Sequence, residues 1–155
     1  MKTLIVYYSR TGTTRRVAEE LKTMLSADLD EIKDHKGRGG PLGFLQSGME
    51  AKSSATPKID DPTVDPSGYD LVVVGTPVWA NCMSSPVRTY LTQEKGKLRR
   101  VAFLCTSGDA SEQAFAGMEE LAGKPTAKLK LTAKDMSSGG YKAMLQVFSD
   151  SLKSA

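Results

Sequence analysis

Apolar positions along this chain fall into short continuous runs separated by stretches of helical period. Thr3–Tyr8, rich in Leu, Ile, Val and Tyr, reads as a strand covered on both faces. Val17, Leu21, Met24 and Leu25 then recur at helical spacing. Thr13 to Ser26 is therefore an amphipathic helix whose charged face carries Arg15, Arg16, Glu19, Glu20 and Lys22. Leu29–Ile32 alternates weakly, as an edge strand does. Tyr69–Gly75 is the strongest strand signal; a Pro-containing loop follows it, then a helix from Ser85 to Gln93 with Pro86 at the favoured first position. Arg99–Cys105 predicts another strand, Ser111–Ala122 a helix and Ala127–Leu131 a last strand. Tyr141, Met144, Leu145, Phe148 and Leu152 mark the final helix. Strands alternating with helices predict an α/β fold, a doubly wound parallel sheet with helices on both faces and right-handed crossovers.

The irregular stretch is 33–68. Gly37-Arg38-Gly39-Gly40 reads as a loop, and Pro41–Ala51 as a helix burying Leu42, Leu45 and Met49, weakened by Gly43 and Gly48. Residues 53–66 read as loop, punctuated by Pro57, Pro62 and Pro66. The whole chain, 155 residues, is of single-domain length, 1–155.

Charge changes the picture little. Lys and Arg number 21 against 18 Asp and Glu, and the excess of three arises between Lys33 and Lys58. That block has one aromatic, Phe44, and lacks the dense basic stripe of a nucleic-acid surface, so it reads as a solvated loop. Two cysteines make no disulfide framework, and a single histidine without a Cys-x-x-Cys pair excludes a zinc enzyme. With no apolar run long enough for a membrane helix or a signal segment, a soluble cytoplasmic protein is expected.

Three loops carry candidate chemistry. Ser9-Arg10-Thr11-Gly12-Thr13-Thr14 joins the first strand to its helix with four hydroxyls and a glycine at a helix N-terminus, a combination suited to a phosphate. It has neither the Lys of a Walker loop nor a Gly-x-Gly-x-x-Gly, which disfavours nucleoside triphosphates and dinucleotides. The third strand runs into Thr76-Pro77-Val78-Trp79-Ala80-Asn81. There the only Trp of the chain stands on a loop where open α/β sheets bind ligands, placed to stack on a planar group. The fourth strand ends in Thr106-Ser107-Gly108-Asp109, small residues at the same sheet edge.

In these loops the sequence resembles the flavodoxin family, in its short-chain form. The hexapeptide is similar to that family's phosphate loop, Thr/Ser-x-Thr-Gly-x-Thr, and the turn containing Trp79 to its second flavin loop. The resemblance implies a five-stranded sheet in the order 2-1-3-4-5 and a non-covalently bound FMN. It implies Ser9 to Thr14 around the phosphate and Thr76 to Asn81 with Thr106 to Asp109 along the flavin. It further implies an electron carrier cycling between oxidised, semiquinone and hydroquinone forms. Redox donor and acceptor proteins are the expected partners of a monomer, with neither nucleic acid nor membrane. Two departures stand out: no Tyr follows Asp109 to cover the second face of the ring, and the chain is basic where electron-carrying relatives are strongly acidic. Both lead to the expectation of a less negative second potential.

The competing reading is an FMN-dependent NAD(P)H:quinone-type oxidoreductase, which shares the fold but normally has a longer chain. Cys82 to Arg88 satisfies the Cys-x5-Arg spacing of a phosphatase, but Pro86 removes a donor from the cradle and no glycine shapes it. A phospho-receiver needs an Asp where Gly75 and Thr76 stand.

Overall fold

The computed structural model describes residues 1–108 and 110–155. Five parallel strands form the sheet: β1 (Thr3–Tyr7), β2 (Asp28–Glu31), β3 (Leu71–Trp79), β5 (Val101–Ser107) and β6 (Lys128–Thr132), in the order β2-β1-β3-β5-β6. A two-residue strand, β4 (Cys82–Met83), pairs antiparallel with the end of β3. Among the parallel strands the order along the chain is thus 2-1-3-4-5, as the resemblance implied. The crevice of such a sheet lies beyond the carboxyl ends of β1 and β3, where strand order reverses.

Alternation in the strands feeds two cores. Leu4, Val6, Val72, Val74 and Phe103 meet Val87 and Leu91 of α3 (Ser85–Gln93) and Met118 of α4 (Glu112–Ala122). On the other face Ile5, Val73 and Leu104 meet Val17 and Leu21 of α1 (Thr13–Leu25) and Leu145, Phe148 and Leu152 of α6 (Tyr141–Ser154). Each such side chain, fully buried, is worth about 1.5–3 kcal/mol. Among the described residues no helix is long and apolar enough to cross a membrane.

Several elements differ from the sequence reading. β3 runs through to Trp79 rather than stopping at Gly75, because a two-residue turn at Ala80–Asn81 folds it back on β4. Both turn residues have positive φ, 50° and 65°, the pattern of a type I′ hairpin, for which Ala-Asn is a weak sequence signal. Trp79 is therefore a strand residue, not a loop residue. β5 reaches Ser107, so Thr106 and Ser107 extend the strand and do not form a turn. A short helix, α5 (Ala133–Ser138), follows β6 unannounced. It opens on a capping box in which Thr132 Oγ1 accepts from the Asp135 N–H and the Thr132 N–H donates to Asp135 Oδ2.

The largest correction concerns α2 (Gly40–Lys52). The helix forms, but Leu42, Leu45 and Met49 point to solvent, 82%, 59% and 64% exposed, while Gly43, Ser47 and Ala51 face inward. Arg38 sets this rotation, so its loop is not simply solvated. Only 6% exposed, its guanidinium donates to Asp34 at 2.6 Å, Glu50 at 2.8 Å and Ser47 at 3.2 Å. Glu50 also accepts from Lys36 and from the Ser85 hydroxyl. A buried cation held by two carboxylates outranks three exposed apolar side chains, since breaking such a pair costs about 3–5 kcal/mol. Gly43 permits the packing: a Cβ there would fall 2.4 Å from the Arg38 carbonyl carbon.

Candidate functional site

A cavity of ≈ 500 Å³ opens at the carboxyl ends of β1, β3 and β5. Ten residues singled out from the sequence line it: Arg10, Thr11, Thr13, Thr14, Pro77, Val78, Trp79, Thr106, Ser107 and Gly108. Ser9, Gly12, Thr76, Ala80 and Asn81 are not among its lining, and Asp109 lies outside the described residues.

The first wall is the β1–α1 turn. Gly12 precedes the helix at φ 100°, a conformation costly for any residue with a Cβ. Its N–H donates to Ser9 Oγ at 3.0 Å, so Ser9 shapes the turn. No side chain caps α1, and Thr11 and Thr13 face the cavity beside its N-terminus. The hydroxyls of Thr14 and Thr106 are hydrogen-bonded to each other at 2.9 Å, tying the helix to the tip of β5. The charges lining this cavity among the described residues are two guanidinium groups, Arg10 and Arg16, with no carboxylate. Unpaired helix N–H groups, hydroxyls and two cations favour an anion.

The second wall is aromatic. Trp79 is held edge-on to Tyr8, ring centroids 5.6 Å apart, and Arg38 lies over its ring at 5.0 Å. Burial pushes the Tyr8 phenol up to about 12, so it remains neutral. Phe44 of α2 also lines the cavity. Arg10 holds it in place: its Nε donates to the Arg38 carbonyl at 2.8 Å, its Nη2 to the Gly40 carbonyl at 3.3 Å, and its guanidinium lies 5.5 Å over the Phe44 ring. The loop after β5 supplies no second aromatic; α2 does.

The third wall, Leu131 to Ser137 at the end of β6 and on α5, was missed. The Thr132-x-x-Asp135 capping pattern was its one sequence signal. Thr76, by contrast, is buried in the hairpin base, donating to Ser84 Oγ and accepting from the Ser84 N–H, both at 3.0 Å. That bond occupies an N–H the phosphatase reading needed free, and Cys82 sits in β4 instead of heading an anion cradle. Burial raises the Cys105 thiol to about 12, leaving it inert. No cluster of metal-ligating side chains occurs among the described residues.

A family model described as flavodoxin matches residues 2–136. Among solved structures, a flavoprotein from Lactobacillus acidophilus NCFM in complex with FMN is 26% identical, with a TM-score of 0.70 over 91% of this chain and 98% of that one. A protein from Bacteroides eggerthii is 24% identical with a TM-score of 0.73, over 94% of this chain and 96% of that one. A mutant flavodoxin from Pseudomonas aeruginosa, 16% identical over 99% of both chains with a TM-score of 0.54, shares the fold. No curated protein matches the sequence.

Proposed function

The chain belongs to the flavodoxin family, and on that premise we propose that it binds FMN in the ≈ 500 Å³ cavity and serves as an electron carrier. The observation that carries this reading is one cavity joining an uncapped helix N-terminus to an aromatic pair. The residues present fit the group. Thr11, Thr13 and the first-turn N–H groups of α1 would hold the phosphate, and Arg10 and Arg16 would offset its charge. Phe44 and Trp79 would pack on the isoalloxazine ring, and Pro77, Val78, Thr106, Ser107 and Gly108 would keep water from it. When bound, FMN supplies reversible one- and two-electron chemistry that no side chain here can supply.

The L. acidophilus flavoprotein, whose structure holds FMN, supports the cofactor. An NAD(P)H:quinone-type oxidoreductase is the alternative reading of the same cavity. Two measurements test the proposal. Purified protein should be yellow and release FMN on heating. The holoprotein should not oxidise NAD(P)H in the steady state without an added reductase; turnover there would replace the carrier with the enzyme.

A further inference from the structure

The apolar stripe of α2 is a surface the fold leaves unused. Leu42, Leu45 and Met49, spaced i, i+3 and i+7, project away from the sheet. Between this stripe and the β3–β4 hairpin lies a hollow of ≈ 320 Å³, lined by Leu45, Met49 and Lys52 on one side and Val78 and Trp79 on the other. Val78 and Trp79 also line the larger cavity, so the two are contiguous. The surroundings are cationic. Arg38 is buried against Asp34 and Glu50, and Lys36 is paired with Glu50, so the charge this face presents outward is that of Arg10 and Lys52.

We propose that this face docks the electron-transfer partner, a protein presenting an apolar centre ringed by carboxylates; the proposal rests on the carrier reading. Charge selects the occupant, because a second copy of this chain packed face to face would set Lys52 and Arg10 against their own kind. Size points the same way. A stable dimer buries about 800 Å² and 20–30 residues on each side, far beyond three side chains and a rim, whereas redox encounters lie at the small end of the range. Contiguity with Trp79 brings the partner to the aromatic wall of the cavity. With FMN bound, this placement would let a reduced partner, oxidised by one equivalent at its own metal centre, pass one electron to the cofactor, with solvent supplying any proton.

The test uses FMN-loaded protein, with a reduced, acidic plant-type ferredoxin as probe, and follows flavin absorbance by stopped flow. The wild-type rate should be second order and fall as salt rises. The double variant L45E/M49E should react about tenfold or more slowly with ferredoxin, yet match the wild type in FMN content and in reduction by dithionite. Lys52→Glu, a single exposed charge reversal, should slow the ferredoxin reaction and flatten its salt dependence. A ferredoxin rate unchanged in both variants overturns the proposal. So does a wild-type chain that elutes as a dimer and becomes monomeric in L45E/M49E, which would make the face a self-association surface. Failure of the carrier reading shows elsewhere, as unaided NAD(P)H oxidation, and leaves the comparison of variants intact.

Discussion

Helices α2 and α6 carry the same kind of apolar repeat and end with opposite sides turned in. α6 buries Tyr141, Leu145, Phe148 and Leu152 against α1 and the sheet. α2 turns Leu42, Leu45 and Met49 outward and its small residues inward, because Ser47 and Glu50 hold the Arg38 guanidinium beneath it. One region is fixed by burial of hydrocarbon, the other by a buried ionic knot. The division continues into the cavity: the α1 side offers helix N–H groups and hydroxyls suited to a phosphate, and the α2 side offers Phe44 against Trp79, suited to a ring.

The largest effect should come from cutting the knot. Arg38→Met leaves Asp34 buried without its partner and Glu50 held only by Lys36 and Ser85, and should cost about 3–5 kcal/mol by urea unfolding. Acid should reproduce part of this. Burial alone would raise the Glu50 carboxyl, but hydrogen bonds from Lys36, Arg38 and Ser85 prevail and hold it below the usual range. The unfolded chain therefore binds the proton more tightly. The Glu50 contribution is complete above the unfolded value of about 4.3, and is lost as pH falls through the lower folded value. Arg38→Met should flatten that part of the stability–pH curve.

Next in size is a paired truncation that sharpens the contrast directly. Leu145→Ala on α6 should cost about 2–5 kcal/mol, whereas Leu45→Ala on α2 should stay within about 0.5 kcal/mol. Equal losses would mean that the two helices are held alike.

Smaller effects separate the two walls of the cavity. Thr13→Ala removes a hydrogen bond to a dianion, worth about 1.5–3 kcal/mol, and should weaken FMN roughly tenfold to a hundredfold while leaving riboflavin nearly untouched. Phe44→Ala should weaken both flavins alike, by about 0.5–1.5 kcal/mol. The smallest shift is electrostatic. A unit charge ~10 Å away in water contributes about 0.4 kcal/mol, or roughly 17 mV for a one-electron couple. Lys52→Glu should lower the second reduction potential by a few tens of millivolts at most at low ionic strength, and by less with added salt. A titration in which that potential rises would contradict the expected sign.

The sheet was legible because β1, β3 and β5 are buried on both faces and so read as unbroken apolar runs. The hydroxyl-rich turn before α1, part of which lines the cavity, stood out by residue type. What escaped depends on distant partners. Arg38 finds Ser85 across 47 positions of the chain, and no local pattern announces that a polar knot will outrank the stripe of Leu42, Leu45 and Met49. Phe44 joined the cavity only through that inversion and through the hold of Arg10. Trp79 was assigned to the right neighbourhood but to a loop, since Ala80–Asn81 lacks the glycine that usually signals a tight hairpin.

FMN bound with its ring against the α2 side and its phosphate at α1 would lie beside Trp79. Trp79 is the only tryptophan of the chain, so its fluorescence during titration of apoprotein with FMN reports on this wall of the cavity. Quenching should be saturable at one FMN per chain, with the titration weakened roughly tenfold to a hundredfold in Thr13→Ala for FMN and scarcely for riboflavin. Fluorescence indifferent to FMN, or an equal loss for both flavins in Thr13→Ala, would contradict that placement.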